Sequence, residues 1–164
     1  MPVAWAVGYD VLVFQPRLPD IENILSNADP EDKNPPLKIQ ELIEVLHEGS
    51  SSSQFATRNL LFRLHLNQHS GLGWAGRFLM WSLLVDMHLP RAKIIALYAT
   101  LAYNGENSGL NNLSKRLYAK PLSALSLTEA ATVIAVLKSP SLYLQDNEKL
   151  VKYRNVLLAR LGRF

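Results

Sequence analysis

The sequence predicts a single all-α domain, and three observations carry that prediction. Between clusters of Pro and Gly, apolar residues recur at helical spacing rather than at alternate positions. No convincing alternating run that would make a strand appears anywhere in the chain. The length of 164 residues, with 48% hydrophobic and 19% charged side chains, suits one domain with a sizeable core and excludes a wholly disordered chain.

The elements follow in order. Asp20 is placed to cap a short helix over Ile21–Asn27. Ile39, Leu42, Ile43 and Leu46 recur at i, i+3, i+4 and i+7 and give a second helix, and residues 53–66 a third. Trp74, Phe78, Trp81 and Val85 share one face of a fourth, a face that reads as core packing. Pro90 suits the first turn of a helix that continues through Lys93–Tyr103. Ser126-Leu127-Thr128-Glu129 has the form of a capping box, before an apolar run Ala130–Leu137 that ends ahead of Pro140. Leu150, Tyr153, Leu157, Leu158 and Leu161 give a final amphipathic helix, with Lys152, Arg154 and Arg160 on its other face. No internal repeat or linker divides the chain, so residues 1–164 read as one domain.

Composition and charge narrow the function classes. The absence of cysteine excludes a disulfide framework, Cys-ligated zinc, iron–sulfur clusters and thiol catalysis. The net charge of +3 hides a split. Residues 1–50 carry three basic and nine acidic side chains, and residues 51–164 carry fourteen basic and five acidic ones. The basic body can face an anionic partner, or head and body can simply neutralise each other. Met1–Phe14 is apolar apart from Tyr9 and Asp10 but is too short to span a bilayer. It also lacks a signal peptide's basic start. Residues 1–18 can be the end of a membrane-proximal segment or a segment packed on the core. Nothing later spans a bilayer; Phe78–Leu89 is apolar but short.

Several chemistries lack their motifs. There is no GxSxG, P-loop or GxGxxG. His65 and His69 have the i, i+4 spacing of metal ligands, but no third ligand stands at a recognised spacing, and no metal site is expected. Asp29, Glu31 and Asp32 cluster before Pro35-Pro36; they read as a solvated loop, with paired-carboxylate catalysis as the sharper alternative. The Gly49-Ser50-Ser51 turn ahead of a helix carrying Gln54, Arg58 and Asn59 suits an anionic group such as phosphate. Its alternative is an ordinary Ser cap beside a solvated Arg.

Several stretches then resemble one family. Tyr98-Ala99-Thr100-Leu101-Ala102-Tyr103-Asn104-Gly105 resembles the YLNxxYFG segment of the family-51 glycosyltransferases, the peptidoglycan transglycosylase domains of penicillin-binding proteins and monofunctional transglycosylases. Gly109-Leu110 resembles the Gly-Ile that opens their next helix, and Leu117-Tyr118-Ala119-Lys120 resembles YFGK. Leu125–Ala131 resembles LTLxEAA, Lys138–Tyr143 resembles KxPSxY, and Arg154–Leu157 resembles the closing RxxxVL. Upstream, Gly49–Leu60 resembles GSTxTQQLxKNL. The resemblance runs without a gap from about Asp86 to the C-terminus, with a separate block at 49–60, and covers over half the chain.

The resemblance implies a mostly helical, lysozyme-like transglycosylase fold. It implies an activity as well: polymerisation of lipid II, a polyprenyl-diphosphate-linked disaccharide, at the outer face of the cytoplasmic membrane. In the family a Glu of EDxxFxxHxG acts as base, and a second Glu, in RKxxE, works with basic residues on the donor diphosphate, usually with a divalent cation. Carried onto this chain, Glu31 takes the first role, and Ser50, Ser51, Gln54, Arg58 and Asn59 take substrate binding. No cofactor is evident from the chain itself.

The departures are specific. The second Glu falls on Phe78, the RK positions fall on Trp74 and Ala75, and no acidic residue lies between Ser70 and Val85. Glu31-Asp32 is followed by Pro35 and Pro36 where Phe and His are expected, and lies only 18 residues before Gly49. Thr100 stands for the Asn of YLN, Phe55 for the second Gln, and Arg58 for Lys. Losing a positioned base costs about 10²–10⁴ in rate. The favoured reading is therefore a divergent, catalytically degenerate member that binds a lipid-linked or glycan ligand or a wall-synthesis protein, with a membrane surface as a further partner. One alternative is an active lipid II polymerase with a displaced carboxylate. A second is a helical interaction module with a basic face; nucleic acid is the least favoured partner, since no aromatic interleaving or recognition helix accompanies the basic residues.

Overall fold

The computed structural model describes residues 7–48, 52–66 and 72–162. Ten α-helices are formed among them: α1 (Leu18–Ser26), α2 (Pro30–Lys33), α3 (Leu37–Leu46), α4 (Ser52–Arg63), α5 (Leu72–His88), α6 (Arg91–Leu101), α7 (Leu110–Tyr118), α8 (Leu127–Val136), α9 (Pro140–Tyr143) and α10 (Asn147–Leu161). No strand is present among the described residues, only an isolated bridge between Tyr103 and Ser108. The all-α expectation holds.

Two helices sit at the centre because their sequences are apolar on every side. In α6 all residues from Ile94 to Ala99 are buried, and in α8 all from Ala130 to Val136. Helices α1, α2, α4, α5 and α7 pack around α6, while α3, α7, α9 and α10 pack around α8. The two groups share one apolar core and meet along a seam. The segment before α1 joins this core through Phe14, which is fully buried and packs edge-on against Trp81 of α5 at 5.1 Å. Trp81 Nε1 donates to the Tyr9 hydroxyl at 3.2 Å, and His88 meets Asp10 at 3.0 Å.

The helix boundaries show which local signals prevailed. Ser126 and Glu129 form the expected capping box. Asp20 does not cap: α1 begins two residues earlier, with a Pro in its first turn, and Asp20 pairs with Arg17 at 3.1 Å instead. Pro90 is the residue just outside α6 rather than its first turn.

The acidic cluster is not a solvated loop. Asp29 caps the short helix α2 through the Glu31 N–H, and Asp32 is buried at 3% exposure. Asp32 accepts the backbone N–H of Asn111 at 2.8 Å, while Asp29 accepts from the Asn111 side-chain amide at 2.8 Å. The cluster is thus a cap supplied from a distance to the N-terminus of α7. That close approach explains Gly109, whose φ is +104°; a Cβ there would stand 2.8 Å from Asp32 Oδ2.

Candidate functional site

A cavity of about 930 Å³ opens along the seam between the two helix groups. Helix α4 supplies one wall by its periodicity. Phe55, Arg58, Asn59 and Phe62 face the cavity at i, i+3, i+4 and i+7, while Ala56, Thr57, Leu60 and Leu61 face the core. The opposite wall is made by Tyr98, Leu101 and Ala102 from the end of α6, by Tyr103 and Ser108 of the turn that follows, and by Leu137, Lys138 and Pro140 beyond α8.

The floor is aromatic and uncharged. His47, the residue that ends α3, stacks on Phe55 with ring centroids 3.7 Å apart, and its Nε2 lies 2.9 Å from the Tyr98 hydroxyl. Burial holds His47 well below the usual histidine value, at about 4, so the ring is neutral at pH 7. Burial likewise pushes the Tyr98 phenol far above its ordinary range.

The rim is cationic. Arg58, Arg63 and Lys138 all line the cavity and are exposed. Neither Arg58 nor Arg63 has an ion-pair partner among the described residues. Lys138 lies 4.5 Å over the Tyr153 ring. Among the described residues the one carboxylate lining the cavity is Glu48, paired with Arg160 at 3.5 Å. An aromatic floor beneath unneutralised guanidinium groups is complementary to an anionic amphiphile.

The expected site residues separate on this geometry. Arg58 and Asn59 line the cavity; Gln54, one turn earlier on α4, is exposed and does not. Ser50 and Ser51 lie outside the described residues. The first turn of α4 is engaged by the chain's own carboxylates: the Ser52 hydroxyl donates to Glu44 at 3.3 Å and the Ser53 hydroxyl to Asp86 at 3.1 Å. Glu31 is away from the cavity, where its carboxylate accepts from the Ser123 N–H at 2.8 Å and the Ser123 hydroxyl at 2.7 Å. Phe78, at the second-Glu position, does not line the cavity either; it stacks on Trp74, which in turn meets Phe62 at the cavity edge with centroids 5.7 Å apart.

The residues present do not fit the divalent cation that the resemblance implied. Among the described residues the cavity has a single carboxylate, already paired and alongside three cationic side chains, and a hard cation needs several oxygen ligands. His65 lies beyond the helix: α4 ends at Arg63, and His65 has the left-handed φ of +55° that follows a helix end. His69 lies outside the described residues.

Sequence reasoning missed His47, Tyr98, Arg63 and Lys138 as site residues. Lys138 and Tyr98 stand inside the stretches that carried the resemblance, so a signal for them was present. His47 had none, since only the fold brings the end of α3 to α6.

Comparison with known proteins identifies the family. The model of the family described as Transglycosylase matches residues 48–162, which contain every cavity-lining residue except Leu46 and His47. A search of curated proteins finds no match. The match spans well over half of the chain, which belongs to the transglycosylase family, the family-51 glycosyltransferases, and carries a peptidoglycan glycosyltransferase-like domain.

Proposed function

We propose that this chain is a non-catalytic transglycosylase-family module that holds a lipid-linked, diphosphate-bearing glycan in the seam cavity. The observation that carries the reading is the inversion of charge chemistry around the cavity. Arg58, Arg63 and Lys138 supply positive charge for a diphosphate, with Asn59 beside them, while the one carboxylate among the described lining residues, Glu48, is paired with Arg160. Glu31 is held by two hydrogen bonds from Ser123, and Phe78 can neither accept a proton nor hold a cation. Phe55, Phe62, Tyr98 and Tyr103 offer apolar surface for a polyprenyl chain or a sugar face. Gln54, exposed one turn before Arg58 on α4, is proposed to share this role from outside the cavity; Ser50 and Ser51, proposed from the resemblance, lie outside the described residues.

An exposed aliphatic strip supports a membrane location, at the outer face of the cytoplasmic membrane. Leu79, Leu83 and Met87 stand at i, i+4 and i+8 on the outer face of α5, 52–75% exposed, and the segment packed on α5 exposes Val7, Val11 and Leu12. Among the described residues no helix is long and apolar enough to cross a membrane. The proposed contact is therefore interfacial.

One observation favours the active alternative. Glu48 is a carboxylate on the cavity wall, and its partner Arg160 is 41% exposed. A displaced base would be Glu48 or Glu31. Incubation with labelled lipid II separates the readings. The proposal expects saturable binding without glycan chains; chains lost in Glu48→Gln or Glu31→Gln would replace it with the polymerase reading.

A further inference from the structure

We infer that Asp32 is a positioning residue whose proton sets how firmly one wall of the groove is held. The inference rests on the reading of the seam cavity as a ligand groove. Tyr103 and Ser108 of that wall belong to the turn between α6 and α7 and bridge across it. The turn runs directly into Gly109, whose N–H donates to the Ala102 carbonyl at 3.0 Å and whose carbonyl accepts from the Asn104 amide at 3.1 Å. Gly109 has no side chain to cap α7, so the first turn of that helix relies on Asp32. Asp32 and its neighbour Asp29 precede residues 48–162 and so act on the groove wall from outside the stretch that matches the family.

The device is a pair of acids on one asparagine. Asp32 Oδ1 takes the Asn111 backbone N–H and Asp29 Oδ1 the Asn111 side-chain amide, each at 2.8 Å. Asn111 Oδ1 accepts the Leu122 N–H at 3.1 Å, which holds the asparagine from its other side. No cation pairs with Asp32 among the described residues. Helix α2 packs on α6 and α7. Lys115 of α7 reaches Asp29 Oδ2 at 3.3 Å, and Arg116 is held by Glu106 and the Asn104 carbonyl. On α6, Arg91 and Lys93 are engaged by Glu44 and Glu22. On α2 itself Glu31 is bound to Ser123, and Lys33 is exposed.

This geometry gives the proton a direction of action. Burial and the adjacent Asp29 carboxylate raise Asp32 to about 7. Asp29, despite its partial burial, is held low by hydrogen bonds from Asn111 and Glu31 and by Lys115. Below pH ~7 Asp32 is neutral and α2 stays closed on α7. Above it, a second negative charge stands beside Asp29 where water does not reach. Parting α2 from α7 relieves that charge, but it also removes the cap of α7 and the backing of the turn. The wall at Tyr103 and Ser108 then loosens, and the groove grips its ligand more weakly as pH rises.

The test uses the full chain. In NMR spectra the backbone amide signals of Tyr103 and Ser108 should titrate with the midpoint of the Asp32 carboxyl carbon, at about 7, with amide protection falling as pH rises. Asp32→Asn keeps an acceptor oxygen but takes no charge, and should abolish that titration. A merely structural Asp32 would leave the Tyr103 and Ser108 signals flat in both proteins. Calorimetric titration with farnesyl diphosphate, which carries diphosphate and prenyl chemistry, gives a second readout. Because the probe also titrates, the quantity read is the Kd of the unaltered protein divided by that of Asp32→Asn. That ratio should rise several-fold between pH ~6 and ~8. Tyr103 and Ser108 signals that do not follow Asp32, or a ratio that stays constant, overturn the inference alone. Failure of farnesyl diphosphate to bind at any pH overturns the diphosphate reading of the main cavity. The NMR titration of the unaltered protein, which needs neither probe nor variant, then upholds or overturns the role of Asp32 by itself.

Discussion

Asp32 and His47 are buried titratable side chains that burial moves in opposite directions. Burial raises Asp32 from 3.8 to about 7, against the backbone N–H groups of Asn111 and Leu110 that favour its anion. Between pH ~4 and ~7 the native chain then keeps a proton that the unfolded chain has lost, so this group makes stability fall as pH rises. His47 is lowered from 6.5 to about 4, so below pH ~6.5 the unfolded chain binds a proton that the native chain refuses, and stability rises with pH. The two slopes oppose each other between pH ~4 and ~6.5. Thermal unfolding followed by circular dichroism should show a rising midpoint across that window in Asp32→Asn and a falling one in His47→Gln. Profiles in both variants parallel to the unaltered protein would contradict the assignment. At the cavity rim, Arg58→Gln and Arg63→Gln should each weaken farnesyl diphosphate binding about tenfold, the scale of a charged hydrogen bond.

At the scale of elements, the turn from α6 to α7 and the cap on α8 fix the walls of the groove. Asn104 is buried and holds the turn: its side chain donates to the Gly109 carbonyl at 3.1 Å and accepts the Asn107 N–H at 3.2 Å. Gly109→Ala combines a left-handed φ with a contact against a buried carboxylate, and should cost at least ~1 kcal/mol. Ser126→Ala removes one half of the capping box and should cost about 1 kcal/mol. Each kcal/mol lowers the unfolding midpoint of a chain this size by about 2–4 °C, which calorimetry can read. On α5, Leu79→Asp/Leu83→Asp should cut co-sedimentation with anionic vesicles several-fold and leave the unfolding midpoint unchanged, since both side chains are exposed.

These elements also show what could be read in advance. The helices of α3, α5 and α8 were legible because their apolar periods are long and Ile39, Ile43, Trp81 and Val85 do become core. The cap at Asp20 was misread because Arg17 offers it a competing partner. Asp32 was misread because its partner, Asn111, lies 79 positions away, and no local pattern carries that distance. Arg58 and Asn59, singled out from the turn and helix that carry them, do line the candidate cavity. His47 and Arg63 were not, because the groove is a seam between helix groups and exists only once they pack.

For the whole molecule, the charge split of the sequence resolves into two parts. Arg91–Glu44, Lys93–Glu22, Lys115–Asp29 and Arg160–Glu48 join the basic body to the acidic head across the fold. Such exposed pairs are each worth ~0–1 kcal/mol, so their consequence is neutralisation more than stability. Of the basic side chains that line the cavity, Arg58, Arg63 and Lys138, none has an ion-pair partner among the described residues; Lys33, Lys38, Arg77, Lys152 and Arg154, elsewhere on the fold, have none either. Three unpaired cations thus line the cavity, while Asp29, Glu31 and Asp32 serve as caps and hydrogen-bond partners elsewhere. The most direct test is a lipid II polymerisation assay on the full chain in detergent micelles, read by gel separation of glycan products alongside calorimetric binding. Binding that is weakened by Arg58→Gln, with no polymer above a protein-free control, is the result this account expects. Glycan chains from the unaltered protein that disappear in Glu31→Gln or Glu48→Gln would contradict it.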